Sequence, residues 1–300
     1  MSVIECKGLT KAFGSTRALN NLSITIEENR ITGLIGRNGA GKTTLLKIIA
    51  GYMKETSGQM KVFSEHPFNN LAVSANLTFI HNQMNFPIAL NLREILEAGE
   101  SFYENWDSGL ASRLLDYFSL NPHQYYDGLS MGMKSTFSAI FGLAARCPLT
   151  MFDEPTTGMD AAVRKDFYRA LLKDYLGHPR TIILSSHHLN EIEDLLEDIM
   201  VLKDGRELLH MSIADLKEWA IGLQGKSDII EDLVKNMEVT FSKSIGQGTS
   251  YVVVRNQLSE SERQAALISG VNLSPVNASD LCVYLTGKTK GGIDDVFKED

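Results

Sequence analysis

Cysteine is scarce in this sequence, and its placement excludes two classes of protein. The 300 residues include three cysteines, Cys6, Cys147 and Cys282, which are odd in number and far apart along the chain. Disulfide-stabilised secreted domains use paired cysteines, and zinc sites use closely spaced ones. The sequence therefore predicts neither a disulfide framework nor a zinc site, and it indicates a reducing compartment.

Long apolar runs are missing as well. Residues 67–92 carry no Asp, Glu, Lys or Arg, but six asparagines interrupt them, whereas a membrane-spanning helix needs about 20 mostly apolar residues. The first ten residues include Glu5 and Lys7 and lack the apolar core of a signal peptide. We expect a soluble chain that would act at a membrane only through a partner that spans it.

An excess of positive charge is also absent. Lys and Arg number 29 against 37 Asp and Glu, so the formal net charge is −8. Proteins that bind nucleic acids by neutralising phosphates need a surplus of Lys and Arg, at least locally. Hydrophobic residues, at 43%, are enough for a sizeable core. The composition predicts a globular chain of about two domains, without a direct nucleic-acid partner.

The start of the chain has the pattern of an α/β domain. Leu22, Ile24 and Ile26 alternate with polar residues, as in a half-buried strand, and residues 31–35 form a continuous apolar strand. A glycine-rich turn follows, and then a helix predicted over residues 42–52. The order strand, loop, helix is typical of a domain built on a parallel sheet.

Further elements follow from hydrophobic spacing. Helical signals dominate residues 92–145, and strand signals return at residues 149–152 and 181–184, with an apolar helical stripe between those two strands. We predict another helix over residues 213–221, which Gly222 ends in the left-handed conformation.

The pattern changes after that helix. Residues 228–287 predict a small α/β appendage, and residues 288–300 form a polar tail that is expected to fray. The predicted domains are therefore residues 1–222, with a helical subdomain at about 92–145, and residues 228–287.

A phosphate-binding loop is the first motif that carries chemistry. Residues 36–44 fit the pattern G-x-x-x-x-G-K-[ST]. Its glycines let backbone N–H groups turn inward around phosphate oxygens, and the following helix adds its positive N-terminal dipole. Lys42 is expected to reach the β- and γ-phosphates, and the Thr43 hydroxyl to ligate Mg²⁺. A chance glycine-rich turn is the alternative, but the position between a strand and a helix favours the phosphate loop.

Two acidic residues form the second half of the predicted site. The apolar strand at residues 149–152 is followed by Asp153 and Glu154, which places them at the edge of a parallel sheet where ligands bind. Asp153 is the expected Mg²⁺ partner, and Glu154 is expected to orient or deprotonate the attacking water. The alternative is a surface acid pair at a strand end; the preceding phosphate loop favours the nucleotide site.

Other motifs resemble those of the ATP-binding cassette (ABC) family. Residues 129–134, LSMGMK, are similar to its signature motif, and residues 155–160, PTTGMD, and 185–187, SSH, resemble its D-loop and switch histidine. Gln83 falls where the family has its Q-loop glutamine, and Phe13 where an aromatic ring stacks on adenine. Motifs in this order along one chain are far more specific than any one alone.

The resemblance implies a fold, cofactors and partners. The fold would be an ABC-type P-loop NTPase with a parallel-sheet core, an antiparallel β subdomain and a helical subdomain, and the cofactors would be ATP and Mg²⁺. Because each nucleotide in this family lies between one cassette's phosphate loop and another's signature, the single cassette implies a homodimer or a paired cassette.

The resemblance also implies a set of site residues. The catalytic residues would be Glu154, His187 and Gln83, and the Mg²⁺ ligands Thr43, Gln83 and Asp153. The expected ATP-binding residues are Phe13, Gly36, Asn38, Gly39, Gly41, Lys42, Thr43, Thr44, Ser130, Gly132 and Asp160.

Three of these assignments have an alternative. Gln83 could be a surface residue, Phe13 could pack in the core, and a one-residue shift would exchange His187 for His188, although the order Ser-His favours His187. The signature also departs from the family pattern, with Met131 in place of the usual glycine and Met133 in place of the common glutamine. Because neither change removes a required donor, we expect hydrolysis to be retained.

Local sequence narrows the resemblance. Residues 105–107, 132–134 and 152–156 together resemble a Gram-positive bacterial subgroup of exporter-type cassettes, often under a GntR-type repressor and linked to antimicrobial-peptide export or resistance and to acetoin use. Residues 277–287 look like the C-terminal ending of such cassettes.

The function predicted from the resemblance is the ATP-hydrolysing subunit of an ABC transporter, with export as the expected direction. It would work at the inner face of the cell membrane, held there by integral membrane permease subunits. The alternative is an ABC ATPase that acts on ribosomes or DNA. The acidic charge and the single cassette without a coiled-coil insertion argue against it.

Overall fold

The computed structural model of the protein describes residues 2–82, 84–246 and 248–287. Contacts between residues divide the chain into two units, Met1–His210 and Met211–Asp300, each with its own core. The predicted polar tail at residues 288–300 lies outside the described residues, so it stays a prediction. Among the described helices, none is both long and apolar enough to cross a membrane.

A six-stranded sheet forms the centre of the first unit. Its spatial order is β5-β6-β7-β3-β8-β9, and the pairs from β5 to β8 are parallel. The strands in chain order are β3 (Ile31–Ile35), β5 (Leu77–His81), β6 (Leu149–Asp153), β7 (Thr181–Ser186), β8 (Asp198–Lys203) and β9 (Arg206–Ser212). β3, β6 and β7 are buried along their whole length, as expected for strands of a covered parallel sheet.

A second, antiparallel sheet packs on the same core. It has the order β2-β1-β4, formed by β1 (Ser2–Phe13), β2 (Thr16–Glu27) and β4 (Ser57–Val62). The predicted alternation in β2 is confirmed, since Leu22, Ile24 and Ile26 are buried and their neighbours are exposed.

Helices complete the first unit. In chain order they are α1 (Lys42–Ile49), α2 (Leu71–Ala75), α3 (Leu92–Phe102), α4 (Ser108–Tyr117), α5 (Met131–Ala145), α6 (Ala161–Gly177) and α7 (Leu189–Ile192). Leu46 and Ile49 of α1 share one buried cluster with Ile26 of β2 and Met151 of β6. The helix that begins at the phosphate loop therefore packs against both sheets, and it ends three residues earlier than predicted.

Three helices between β5 and β6 are started by side-chain caps. Asn91 and Glu94 form a reciprocal capping box at α3, Asp107 accepts the N–H of Leu110 at α4, and Ser130 accepts the N–H of Met133 at α5. Each cap satisfies a backbone N–H that lacks a partner in the first helical turn. Residues 136–145 of α5 are all buried, and this helix packs against β5 and β6.

The second unit has its own antiparallel sheet of order β11-β12-β10-β13. Its elements in chain order are α8 (Ile213–Trp219), β10 (Ala220–Lys226), α9 (Ser227–Val234), β11 (Val239–Ser244), β12 (Thr249–Arg255), α10 (Glu260–Ile268), β13 (Asn272–Pro275) and α11 (Ala278–Thr286). From β10 to β13 this is the β-α-β-β-α-β order of ferredoxin-like units. With the first unit, it confirms the predicted α/β architecture with a C-terminal appendage.

The predicted left-handed helix end at Gly222 is wrong. α8 ends at Trp219, and Gly222 lies inside β10, opposite Val253 on one neighbouring strand and Ser274 on the other. A short apolar run such as residues 220–223 fits a helix end or a strand equally well by periodicity, so the cross-strand partners decide. A Cβ on Gly222 would lie 2.6 Å from the hydroxyl of Tyr251, which explains the glycine by space instead of by backbone conformation.

A buried ion-pair network stabilises the first unit. The Asp174 carboxylate accepts hydrogen bonds from Arg146 at 2.7 and 3.1 Å and pairs with Arg180 at 2.8 Å, while Asp174 and Arg180 are about 95% buried. Asp174→Ala would leave Arg180 buried without its partner, so we expect the free energy of unfolding to fall by about 3–5 kcal/mol. Urea denaturation followed by Trp106 fluorescence, in a Trp219→Phe background, measures it.

The matched control for that experiment is Glu97→Ala. Glu97 pairs with Arg93 on the surface, where both side chains are more than half exposed, and such pairs contribute under about 1 kcal/mol. Equal losses in the two variants would contradict the role given to the buried network.

Candidate functional site

The phosphate loop is built so that a helix begins without a side-chain cap. Gly41 precedes α1 at φ +105°, a conformation that favours glycine. A Cβ at this position would lie 2.5 Å from the carbonyl oxygen of Ala18. No side chain caps α1 and its first turn has no acidic residue, so the first N–H groups of the helix are available to an anion.

The Lys42 ammonium is buried beside this helix start. Its side chain is 7% exposed, its Nζ donates to the carbonyl oxygen of Gly36 at 2.6 Å, and Oε1 of Glu154 lies 3.7 Å away. Burial lowers the pKa of Lys42, and the charges of Glu154 and Asp153 oppose that shift. A buried and poorly solvated cation of this kind is suited to attract a phosphate group.

Asp153 ends β6 and is held by two hydroxyl groups. Thr43 donates to its Oδ2 and Ser185 donates to its Oδ1, both at 2.6 Å. Hydroxyl and carboxylate oxygens are the ligand types that Mg²⁺ prefers, and Mg²⁺ usually takes one or two protein ligands together with phosphate oxygens and waters. The described residues contain no cluster of three or more His, Cys, Asp or Glu side chains that could hold a metal ion. The pair Thr43 and Asp153 therefore fits Mg²⁺ only in the company of phosphate.

Glu154 is fixed from three sides. It has φ +51°, which is uncommon for a residue other than glycine, and its N–H donates to the carbonyl oxygen of Ser185 at 3.1 Å. Its Oε2 lies 2.8 Å from Nδ1 of His187. Its Oε1 is buried without a hydrogen bond and faces Lys42. Such a carboxylate has an oxygen lone pair available to a small polar molecule.

The two histidines at the end of β7 lie side by side. His187 contacts Glu154, while the His188 ring lies tilted against the His187 ring with the ring centroids 3.9 Å apart, and residue 188 precedes α7. Of the two, it is His187 that reaches the acid.

The predicted signature residues lie at a different helix start. Ser130 caps α5, and a Cβ on Gly132 would lie 2.3 Å from the carbonyl oxygen of Gly158. In the described part of the chain, Ser130 hydrogen-bonds within its own helix and not with the phosphate loop. The structure thus brings Lys42, Asp153 and Glu154 together, whereas Gly132 of the signature contacts the loop after Glu154.

The remaining predicted site residues are Asp160, Phe13, Gln83 and those of the phosphate loop. Asp160 caps α6 by accepting the N–H groups of Ala162 and Val163. Phe13 is 50% exposed beneath the Lys11 ammonium, so core packing of its ring is wrong. Gln83 lies outside the described residues. Among the predicted phosphate-loop residues, Asn38, Gly39 and Thr43 are exposed, Gly41 and Thr44 are partly exposed, and Gly36 and Lys42 are buried.

Ser185 is a functional residue that the sequence did not single out. It is fully buried, its hydroxyl holds Asp153 and its carbonyl holds the backbone of Glu154. The signal available in the sequence was its place at the end of a predicted strand, two residues before His187.

Comparison with known proteins identifies relatives. A family model described as ABC transporter matches residues 19–157. The ABC transporter ATP-binding protein YtrB of Bacillus subtilis is 30% identical over 222 residues, which cover 74% of this chain and 76% of YtrB. The bacitracin transport ATP-binding protein BcrA of Bacillus licheniformis is 30% identical over 220 residues, 72% of each chain.

A solved structure shares the fold. The dimeric, post-hydrolysis ATP-binding cassette MJ0796, bound to ADP and Pi, aligns with a TM-score of 0.61 at 23% identity, over 70% of this chain and 98% of the cassette. The predicted P-loop NTPase fold of the ABC type is confirmed.

The contact between Gly132 and Gly158 predicts a steric effect. In Gly132→Ala the new methyl group overlaps the Gly158 carbonyl, so the start of α5 or the loop after Glu154 must move. We expect the free energy of unfolding to fall by about 1–3 kcal/mol, and ATP hydrolysis to fall with it. Chemical denaturation and a phosphate-release assay measure the two effects.

Gly128→Ala is the matched control, because a Cβ at that position meets no atom within 4 Å. Its stability should change by less than about 0.5 kcal/mol. If both alanine variants behaved alike, the contact at Gly132 would have no special importance.

Proposed function

This chain belongs to the ATP-binding, ATP-hydrolysing proteins of ABC transporters, and we propose that it drives export through separate membrane subunits. The arrangement that carries the proposal is the cluster of Lys42, Asp153 and Glu154 at the carboxyl edge of the parallel sheet, beside the uncapped start of α1. In open α/β sheets this edge is where ligands bind.

Each group in the cluster has a chemical task in hydrolysis. The N–H groups of α1 and the Lys42 ammonium bind the β- and γ-phosphates, and Thr43 and Asp153 hold Mg²⁺. When bound, Mg²⁺ neutralises charge on the phosphate oxygens. Glu154 orients the attacking water and accepts its proton while the bond between the γ-phosphorus and the bridging oxygen breaks, which gives ADP and phosphate.

His187 acts on this step by orienting the Glu154 carboxylate. Its contact with Oε2 of Glu154 leaves Oε1 to face Lys42 and the phosphate site. Gln83, assigned from the family resemblance, belongs to the same site as a ligand of Mg²⁺ or of the attacking water.

A second cassette completes the site. Cassettes of this family form dimers, and MJ0796 is dimeric with ADP and Pi bound. The start of α5 offers Ser130 and backbone donors to an anion, yet among the described residues no hydrogen bond of Ser130 reaches the phosphate loop of its own chain. We therefore assign Ser130 and Gly132 to the γ-phosphate on a partner cassette, and Asp160 to the contact between the two cassettes. Phe13 is exposed enough to stack on adenine.

We propose export as the direction of transport. BcrA is named for bacitracin transport, and the matches to YtrB and BcrA cover about three quarters of each protein. The C-terminal residues that resemble exporter cassettes point the same way.

An apolar groove is the proposed docking place of a permease subunit at the cytoplasmic face of the membrane. It encloses about 180 Å³ beside α3, and it begins a few residues after the position of Gln83. Its lining residues are Phe86, Pro87, Leu90, Ile95, Ala98, Gly99, Phe102, Tyr103 and Phe141. Phe102 is 76% exposed. A short amphipathic helix of the permease would fit such a groove by its apolar face, and Phe86 of the lining is four residues from Asn82 along the chain.

Glu154→Gln should trap the dimer. The amide keeps the size of the carboxylate but cannot accept the proton of water, so ATP binds and is not hydrolysed. We expect the variant to elute as a dimer with Mg-ATP on size exclusion, and as a monomer when Lys42→Ala is added. A monomer with ATP, under conditions in which the parent chain dimerises, would contradict the mechanism.

Docking of the permease at this groove can be tested by introducing a charged side chain into it. Phe102→Glu should abolish recovery of a membrane-spanning protein from detergent-solubilised membranes while ATP binding is kept. Leu176→Glu is the control, because Leu176 is similarly exposed, at 70%, and lies outside the groove. Equal recovery with both variants would contradict docking at this groove, and recovery of ribosomes instead would favour the alternative function.

A further inference from the structure

Thr157 lies where three parts of the cassette meet. It belongs to the loop of residues 154–160, which connects Glu154 to Asp160. Its hydroxyl donates to the carbonyl oxygen of Glu154 at 2.9 Å, and its N–H points to the same oxygen at 3.3 Å. The residue that carries the general base is thus bonded at its own carbonyl group to Thr157.

The loop after β5 reaches the same hydroxyl. Nδ2 of Asn82 lies 3.1 Å from Oγ1 of Thr157. A hydroxyl has one proton and two lone pairs. Because the proton is directed to Glu154, the lone pairs accept the Asn82 amide, and both bonds form at once. Asn82 directly precedes Gln83 in the chain and is 75 residues from Thr157, so the contact joins two separate motifs.

The signature helix holds the other side of Thr157. Ser135 of α5 donates its hydroxyl proton to the carbonyl oxygen of Thr157 at 2.7 Å. One turn earlier on the same helix, Gly132 touches Gly158 so closely that no Cβ fits between them. Movement of the start of α5 is therefore passed directly to Thr157 and its neighbour.

We propose that Thr157 is a positioning residue that couples the signature helix and the loop after β5 to Glu154. When a partner's nucleotide fixes the start of α5, Ser135 draws Thr157 with it, and the Thr157 hydroxyl sets the backbone from which the Glu154 side chain projects. Through its hydrogen bond, Asn82 transmits a change in the loop after β5, which leads to the permease groove, to the same Thr157 hydroxyl. The inference rests on the proposed roles of Glu154 and of the α5 start.

Closing the turn after Glu154 does not by itself require the Thr157 hydroxyl. The Thr157 N–H already closes the turn on the Glu154 carbonyl, so the hydroxyl adds the cross-link to Asn82 and not the turn itself. Removing the hydroxyl should therefore impair the chemical step more than the fold.

Thr157→Val and Thr157→Ser separate shape from hydrogen bonding. Valine keeps the branched shape without the hydroxyl, and we expect kcat for ATP to fall about three- to tenfold, the value of one hydrogen bond. KM should stay within about twofold, as for an interaction that acts on the transition state. Serine keeps the hydroxyl and should restore most of kcat.

A double-mutant cycle tests the partner. Asn82→Ala should lower kcat by a smaller factor, and Thr157→Val combined with it should be no slower than Thr157→Val alone, because the shared bond is already lost. Asn121→Ala, which removes an amide that bonds only its own loop at His123, is the control and should match the parent chain. Losses that multiply, or wild-type kcat in Thr157→Val, would overturn the proposal.

The same assay separates this inference from the proposed function. Hydrolysis by the parent chain that is lost in Glu154→Gln supports the function, whatever Thr157 does. If the parent chain hydrolyses ATP and Thr157→Val is equally active, only the coupling role fails. If Glu154→Gln is as active as the parent chain, the proposed function fails, and this inference fails with it.

Discussion

The register between β6 and β7 sets the position of the charged groups at this site. It places Asp153 beside Ser185, and from there one serine holds the Asp153 carboxylate by its hydroxyl and the Glu154 backbone by its carbonyl. Glu154 leaves the strand in the left-handed conformation, and its carboxylate lies 2.8 Å from Nδ1 of His187, which directly follows the neighbouring strand β7. Since β3 pairs with the other side of β7, the phosphate loop arrives at the same edge. A shift of one residue would separate these groups and reverse their faces.

The proposed nucleotide site would bind a highly charged anion in a chain whose net charge is itself negative. The formal net charge is −8, and the proposed phosphate site uses the N–H groups of α1, one buried ammonium and Mg²⁺. Because burial removes water from Lys42, its charge acts at short range and without competition from solvent. The composition thus excluded one mode of phosphate binding and not the ligand.

Much of the catalytic half of the site could be predicted from sequence, because local patterns determine it. An apolar strand, glycines and a lysine at fixed spacing define the phosphate loop, and the strand β3 lies where periodicity put it. The contacts that depend on tertiary structure could not be predicted. One of them is the close approach of Gly132 to Gly158, and another is the bond from Asn82 to Thr157. Both join residues that are distant in sequence. The left-handed φ of Glu154 was not evident from its local sequence either. Gly222 shows the same limit, since a strand partner decides between two readings of a short apolar run.

The central proposal, that each nucleotide site is shared between two cassettes, is tested most directly, for two copies of this chain, by mixing two inactive variants. Lys42→Ala removes the ammonium group with which the phosphate loop binds the nucleotide. Ser130→Asp keeps a residue that caps α5 but puts a negative charge where the partner's phosphate would lie. A mixed dimer has one intact site, made of the phosphate loop of one chain and the signature of the other. We predict that the mixture hydrolyses ATP although neither variant does so alone; a mixture no more active than the mean of its components would contradict the account.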